Sequence, residues 1–239
     1  RTYYDSAYGK TESWYILDTR TIEGEPPYLL MGFRKGVTRQ AFEAAVMAQD
    51  VGAMEAMLHK LPVQPGEMYF IPGRLPHAIG PGVFMLEIQE PSDWVIHAER
   101  YCTDTKLSDR DMWGPLTPAQ ALRIFDCRGS SRDDLVNRVK VRGRPVAAGK
   151  GGVVEELIGR RQTMAFSVRR ATVTGTMEIA LPRSFGIVVV TGGTGTIRWP
   201  GGVRRIQRGD YFLHPASVDR IEYTAGETLS LVLCLPPAP

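Results

Sequence analysis

Apolar residues in this chain fall in short runs broken by glycine and proline, the punctuation of strands and turns rather than of long helices. The runs predict strands at Ser13–Asp18, Tyr28–Phe33, Glu67–Ile71 and Val83–Ile88. Later ones are Met164–Arg169, Gly186–Thr191, Gly195–Trp199, Asp210–His214 and Leu229–Leu233, with TGGTG (191–195) as a hairpin turn. Two helical stretches interrupt the first group. Thr38 caps TRQAFEAAVMAQ, with Phe42, Ala45, Val46 and Gln49 on one face, and AMEAMLHKL follows Gly52 with Met54, Met57, Leu58 and Leu61 inward. His59 then falls on the surface. Thr117-Pro118 opens a third helix and Ser130 a fourth.

An internal repeat sets the architecture. GEMYFIPGRLPHAI (66–79) lies on GDYFLHPASVDRIE (209–222), each with a glycine, an acid, an apolar strand and a proline six residues after the glycine. Where the first copy has His77, the second has Arg220. Two related β-barrels follow from such a repeat. His214 is then a strand residue of the second.

Composition narrows the function classes. With 239 residues, 43% hydrophobic and 23% charged, the chain has enough bulk for one large or two small cores. A net charge of +3 is too small to point to nucleic acid. The densest basic stretch, VKVRGRPVAAGKGG (139–152), reads as a solvated linker, without the interleaved aromatics that stack bases. No apolar run reaches the roughly 18 residues of a membrane span. Cys102, Cys127 and Cys234 are widely spaced, which argues for a reducing cytoplasm and against a disulfide frame or thiolate zinc site.

The spacing Gly66-x5-Pro72-x4-His77 resembles a motif of the cupins, small β-barrels that hold a metal. Beside GKTESWYIL (9–17) and HAIGPGVFMLEIQEPSD (77–93), the chain resembles the type I mannose-6-phosphate isomerases in their short bacterial form. The fold this implies is all-β, two cupin jelly-roll barrels with helical insertions. Its divisions are a metal-binding barrel over 1–100, with a helical insertion at about 38–61, a helical connector over 101–160 and a second, metal-free barrel over 161–239. Because Arg1 opens the chain without preamble, the first barrel is expected to be incomplete at its start.

The resemblance also implies chemistry. Glu12 and His77 match two ligands of a single Zn²⁺, and two further ligands, a Gln-x-His pair, are expected upstream of Arg1. A carboxylate and an imidazole suit that ion. The implied reaction interconverts mannose 6-phosphate and fructose 6-phosphate through a cis-enediol, on a small sugar phosphate, in the cytoplasm. Lys10 shares a strand face with Glu12 and is expected near the substrate. Glu87 is expected in the barrel lumen, with Leu86 and Ile88 on the other face. The family has an arginine where this chain has His97 after Ser92-Asp93, a neutral and shorter group in place of an electrostatic clamp. Arg74 stands where cupins have glycine; a positive φ would be costly there, so the loop is expected to be rearranged, with Arg74 projecting to the pocket. The departure at His97 leaves open a sugar-binding or regulatory bicupin without turnover, or an isomerase for another sugar.

Overall fold

In the computed structural model, residues 6–102, 104–181 and 184–237 are described, so Arg1 lies outside the described residues. The chain is dominated by strands and divides into two compact units, Arg1–Lys140 and Val141–Pro239. No helix among the described residues is long and apolar enough to cross a membrane.

The first unit runs β1 (Glu12–Thr19), β2 (Tyr28–Phe33), α1 (Arg39–Ala48), α2 (Val51–Ala56), β3 (Leu58–Pro62), β4 (Met68–Ile71), β5 (His77–Ile79) and β6 (Val83–Gln89). A ribbon of β7 (Tyr101–Cys102) and β8 (Thr105–Lys106) follows, then α3 (Asp109–Trp113), α4 (Pro118–Leu122) and α5 (Arg132–Val139), with β9 (Lys140–Val141) at the boundary. β1 lies between β4 and β6, antiparallel to both, while β2 lies between β3 and β5. Trp14 and Ile16 of β1, Leu29 and Met31 of β2, and Tyr69 and Ile71 of β4 form one buried cluster with Leu135 of α5. A separate cluster unites α1 with α3 and α4 through Phe42, Val46, Met112, Trp113 and Leu122.

The caps explain the helices. Thr38 accepts from the Ala41 amide, Asp50 from Ala53, and Thr117 forms a capping box with Gln120. Two expectations near them need correction. The second apolar stretch does not continue as a helix: α2 stops at Ala56, and Leu58–Pro62 is a strand paired with β2. His59 is consequently buried and not on the surface, its Nε2 3.0 Å from the Ser130 carbonyl oxygen.

The second unit contains β10 (Arg144–Gly149), β11 (Gly152–Ile158), β12 (Ser167–Val173), β13 (Thr176–Ala180), β14 (Gly186–Trp199), β15 (Gly202–Gln207), β16 (Tyr211–His214) and β17 (Arg220–Leu235). They form one sheet ordered β10-β11-β12-β17-β14-β15, with β13 on β17 and β16 on β14. The stretch read as a linker is therefore largely strand, since β10 pairs with β11 along its length. TGGTG is not a hairpin turn either. It lies inside β14, where the register slips between Val190 and Gly192 and again between Gly193 and Gly195. Glycine suits such bulges.

The repeat holds at the level of single hydrogen bonds. The Gly66 amide donates to Ile16 O at 2.8 Å, and the Gly209 amide to Val190 O at 3.0 Å. Glu67 Oε2 accepts the Gln64 amide at 3.1 Å, while Asp210 Oδ2 accepts the Gln207 amide at 2.9 Å. Both glycines sit at positive φ, 86° and 96°, which explains why each copy opens on one. After each strand the chain turns back with an amide bond to the proline carbonyl, Leu75 to Pro72 and Val218 to Pro215.

Candidate functional site

β1 and β6 build the site between them. Trp14 faces Glu87 across the ladder and Glu12 faces Gln89, so Glu12, Trp14 and Glu87 share a face. Tyr15 and Ser13 oppose Leu86 and Ile88 on the other face, as the alternation predicts. Trp14, Tyr69 and Ile71 fill the interior on that shared face, and the polar residues occupy its end.

Glu12 is the hub. Its side chain is 4% exposed, and Trp14 Nε1 donates to its Oε2 at 3.0 Å. Lys10 Nζ lies 3.0 Å from Glu12 Oε1 and 3.1 Å from Glu87 Oε1, forking between the two carboxylates. His77 stands at the head of β5, with Nε2 3.6 Å from Glu12 Oε1 and its ring edge-on to Trp14 at 5.2 Å. Its Nδ1 lies 2.7 Å from the Leu75 carbonyl, a pure acceptor. Nδ1 therefore carries the proton in the neutral ring, and the Nε2 lone pair points toward Glu12.

Burial and charge set the protonation states. Burial holds the His77 pKa below its ordinary value, against the pull of Glu12. Burial works against an ionised Glu12, yet the charge of His77 and hydrogen bonds from Glu87 and Lys10 outweigh it and bring its pKa down. Glu87 moves up through burial, its hydrogen bond with Glu12 and Glu12's charge. Lys10 is penalised by burial but ends above its ordinary value because both carboxylates hold its ammonium. At neutral pH the site has an ionised Glu12, a charged Lys10 and a neutral His77, beside a Glu87 that holds its proton more tightly than an ordinary carboxyl.

An imidazole lone pair and a carboxylate oxygen facing each other at 3.6 Å, too long to be a hydrogen bond, are placed as two donors to one cation would be. Zinc needs more, and no three His, Cys, Asp or Glu side chains converge among the described residues.

Lys10, Glu12, His77 and Glu87 thus come together. Arg74 and His97 do not contact them in any hydrogen bond or ion pair among the described residues. Arg74 keeps the positive φ (75°) of the glycine it replaces, contrary to the rearranged loop expected. Its Nε donates to the Ile124 carbonyl at 2.7 Å, and its own carbonyl accepts the Asp126 amide. That bond ties the side chain to the segment after α4. His97 is half-buried beside α3, its amide donating to Met112 O at 3.1 Å.

Sequence reasoning passed over Trp14, whose indole both donates to Glu12 and edges His77. The signal was its position two residues after Glu12, on the same face.

YvyI and ManA of Bacillus subtilis, both with mannose-6-phosphate isomerase in their names (ManA without a qualifier), match most of the chain. YvyI is 25% identical over 234 residues, 94% of this chain and 64% of its own length. ManA is 25% identical over 214 residues, 87% of this chain and 59% of its own length. The chain is similar to mannose-6-phosphate isomerases. It spans less than two thirds of the length of these relatives. The crystal structure of mannose 6-phosphate isomerase from Bacillus subtilis superposes with a TM-score of 0.71 at 22% identity, covering 95% of this chain and 64% of that one. A zinc-bound mannose 6-phosphate isomerase gives 0.69 at 15% identity, covering 98% and 68%. At these identities the structural likeness speaks to the fold, which is that of the mannose-6-phosphate isomerases. No protein-family profile matches the chain.

Proposed function

We propose that this chain serves a zinc-dependent aldose–ketose isomerase that interconverts mannose 6-phosphate and fructose 6-phosphate, with its two β units as cupin barrels. The observation that carries it is the Lys10–Glu12–Glu87–His77 cluster, at the positions the motifs of the isomerases assign.

Glu12 Oε1 and His77 Nε2 would hold one Zn²⁺, with further ligands from outside the described residues. When bound, zinc polarises the sugar oxygens. The chain's own residues handle protons and charge. Isomerisation removes a proton from one carbon of the aldose and returns it to its neighbour, through a cis-enediol. Glu87 is suited to carry that proton: burial and Glu12's proximity raise its proton affinity above that of an ordinary carboxylate, and Lys10 tethers it at 3.1 Å. The Lys10 ammonium stabilises negative charge as it develops on the enediolate oxygen. Trp14 orients Glu12 and packs the His77 ring. Arg74 and His97 are held in the helical part of the unit and carry no step here.

The test is an assay with zinc and mannose 6-phosphate on the full-length protein, reading fructose 6-phosphate. Turnover that falls about a hundredfold or more in Glu87→Gln supports the assignment; a wild type that interconverts no aldose and ketose phosphate defeats it. Zinc affinity, read by competition with a chromogenic chelator, should fall at least tenfold in Glu12→Gln and in His77→Ala. His97 in place of arginine favours a second reading, a bicupin that binds sugar without turnover. Sugar binding with no exchange of the C2 hydrogen in deuterated water would select it.

A further inference from the structure

Lys10 lies outside the ladder that fixes Glu12 and Glu87. β1 begins at Glu12, whose partner Gln89 is the last residue of β6. A lysine on a flexible stem before a strand would ordinarily sample many positions, yet Nζ sits between two carboxylates. Its backbone is held by the turn that follows β6. The Gly9 amide donates to Glu90 Oε2 at 2.5 Å, and Ser92 Oγ donates to the Gly9 carbonyl. The Glu90 amide donates to Thr11 O at 2.9 Å, so both neighbours of Lys10 are bound to the same turn. The turn is itself braced. The Ser92 amide donates to Glu90 O at 2.7 Å, and Gln89 Nε2 donates to the Ser92 carbonyl at 3.0 Å.

We propose that Glu90 and Ser92 are positioning residues that clamp the Gly9 backbone and thereby seat the Lys10 ammonium between Glu12 and Glu87. Glu90 supplies an acceptor and Ser92 a donor to the two faces of one residue, and neither side chain reaches the cluster itself. This deepens the isomerase reading and rests on it for its kinetic consequence, but the seating of Lys10 is a structural fact with its own readout. Because the bond to Glu90 needs only an acceptor, Glu90→Gln retains it through the amide oxygen. Ser92→Thr likewise retains the hydroxyl.

The test reads Lys10 directly. Brief reductive methylation of the full-length protein, followed by peptide mass spectrometry, should modify Lys10 at least fivefold faster in Glu90→Ala and Ser92→Ala than in wild type, with wild-type rates in Glu90→Gln and Ser92→Thr. Amide exchange over β1 and β6 should stay unchanged in Glu90→Gln and Ser92→Thr and quicken in the alanine variants no more than in Lys10→Met, since their ladder is intact. In the isomerase assay the alanine variants should lose about tenfold to a hundredfold in kcat with little change in KM, as expected for a displaced charge rather than lost binding. Lys10 as protected in both alanine variants as in wild type overturns the proposal; so does a Glu90→Gln rate matching Glu90→Ala. If the wild type turns over no sugar, the isomerase reading falls, and the methylation rates still decide the clamp.

Discussion

Replacing Lys10 by methionine keeps the apolar stem and removes the ammonium, so it isolates what the charge does. The Lys10–Glu12 contact joins side chains 18% and 4% exposed at 3.0 Å, and a hydrogen bond between charged groups so placed contributes about 1.5–3 kcal/mol. The Glu87 contact is 34% exposed and solvent-screened, and adds about 0.5 kcal/mol. Against these stands the desolvation of Lys10, which the variant relieves. Burial and Glu12 already hold the Glu87 pKa above its ordinary value, and loss of the cation raises it further, which limits repulsion with Glu12. The net loss expected at pH 7 is about 2 kcal/mol.

Its pH dependence has a sign. Glu12 has a folded pKa below its ordinary value, so its contribution is present above about pH 4.3 and is lost as pH falls through the folded pKa. Lys10, raised in the fold, contributes fully below about pH 10.4 and loses that as pH rises through its folded pKa. The deficit of Lys10→Met should therefore be flat from about pH 6 to 9 and shrink at both ends. Native-state amide exchange over β1 and β6, in chelator, reads this in the first unit alone. A deficit below about 0.5 kcal/mol at pH 7, or one as large at pH 3.5 as at pH 7, would refute the reasoning.

Three further outcomes follow from packing. Trp14→Phe removes the donor to Glu12 Oε2 and the edge contact to His77, and should cost about 2 kcal/mol in urea unfolding and weaken zinc binding in the chelator competition. Gly32 has φ 56°, and a Cβ there would lie 2.8 Å from Leu135 Cδ1, so Gly32→Ala should lower the first unit's melting temperature by about 5 °C or more. Burial pushes the Cys234 thiol up to about 12, so iodoacetamide at pH 8 should label it only at the rate at which the second unit opens.

How much of this was legible in the sequence depends on the range of the interactions involved. β1, β2, β4 and β6 were readable because their signals are local and glycine or proline bounds them, and the four residues of the cluster because they sit in two motifs that run into β1 and β6, with Lys10 just before β1 and His77 on β5. α2 and β3 were not separable by pattern: Met54, Met57, Leu58 and Leu61 are spaced for a helix, and only pairing of Leu58–Pro62 with β2 decides for strand. The same pairing buries His59, an outcome that local composition could not show. TGGTG misled for a related reason, since a glycine run signals a turn unless distant strands extend past it on both sides, as β17 does here. Arg74 has a glycine-like dihedral where its carbonyl accepts the Asp126 amide and its side-chain Nε donates to the Ile124 carbonyl, partners fifty residues and more away that hold it there.

The repeat is one frame that gathers a polar cluster in a single copy. Ile16 and Val190 receive the same glycine amide, and Ile71 and His214 occupy the same place six residues before His77 and Arg220. Glu12 pairs with Ile71 and Gly186 pairs with His214, so Gly186 is the counterpart of Glu12. The second unit thus has a glycine for the carboxylate and an arginine for the imidazole. Arg220 there is exposed and salt-bridged to Glu178 at 3.2 Å, on the strand β13 that pairs with β17. The space Glu12 opens in the first unit is closed in the second by packing: a Cβ at Gly186 would lie 2.7 Å from Leu235 Cδ2 and 3.2 Å from Leu181 Cδ1. Those leucines belong to a buried cluster with Val188, Val190 and Tyr223. Installing glutamate and histidine at 186 and 220 would not rebuild the site, because the carboxylate would enter an apolar core with neither the Lys10 ammonium nor the Trp14 indole to receive it. The shared turns fix the backbone, and what each frame can hold depends on the side chains that fill its interior.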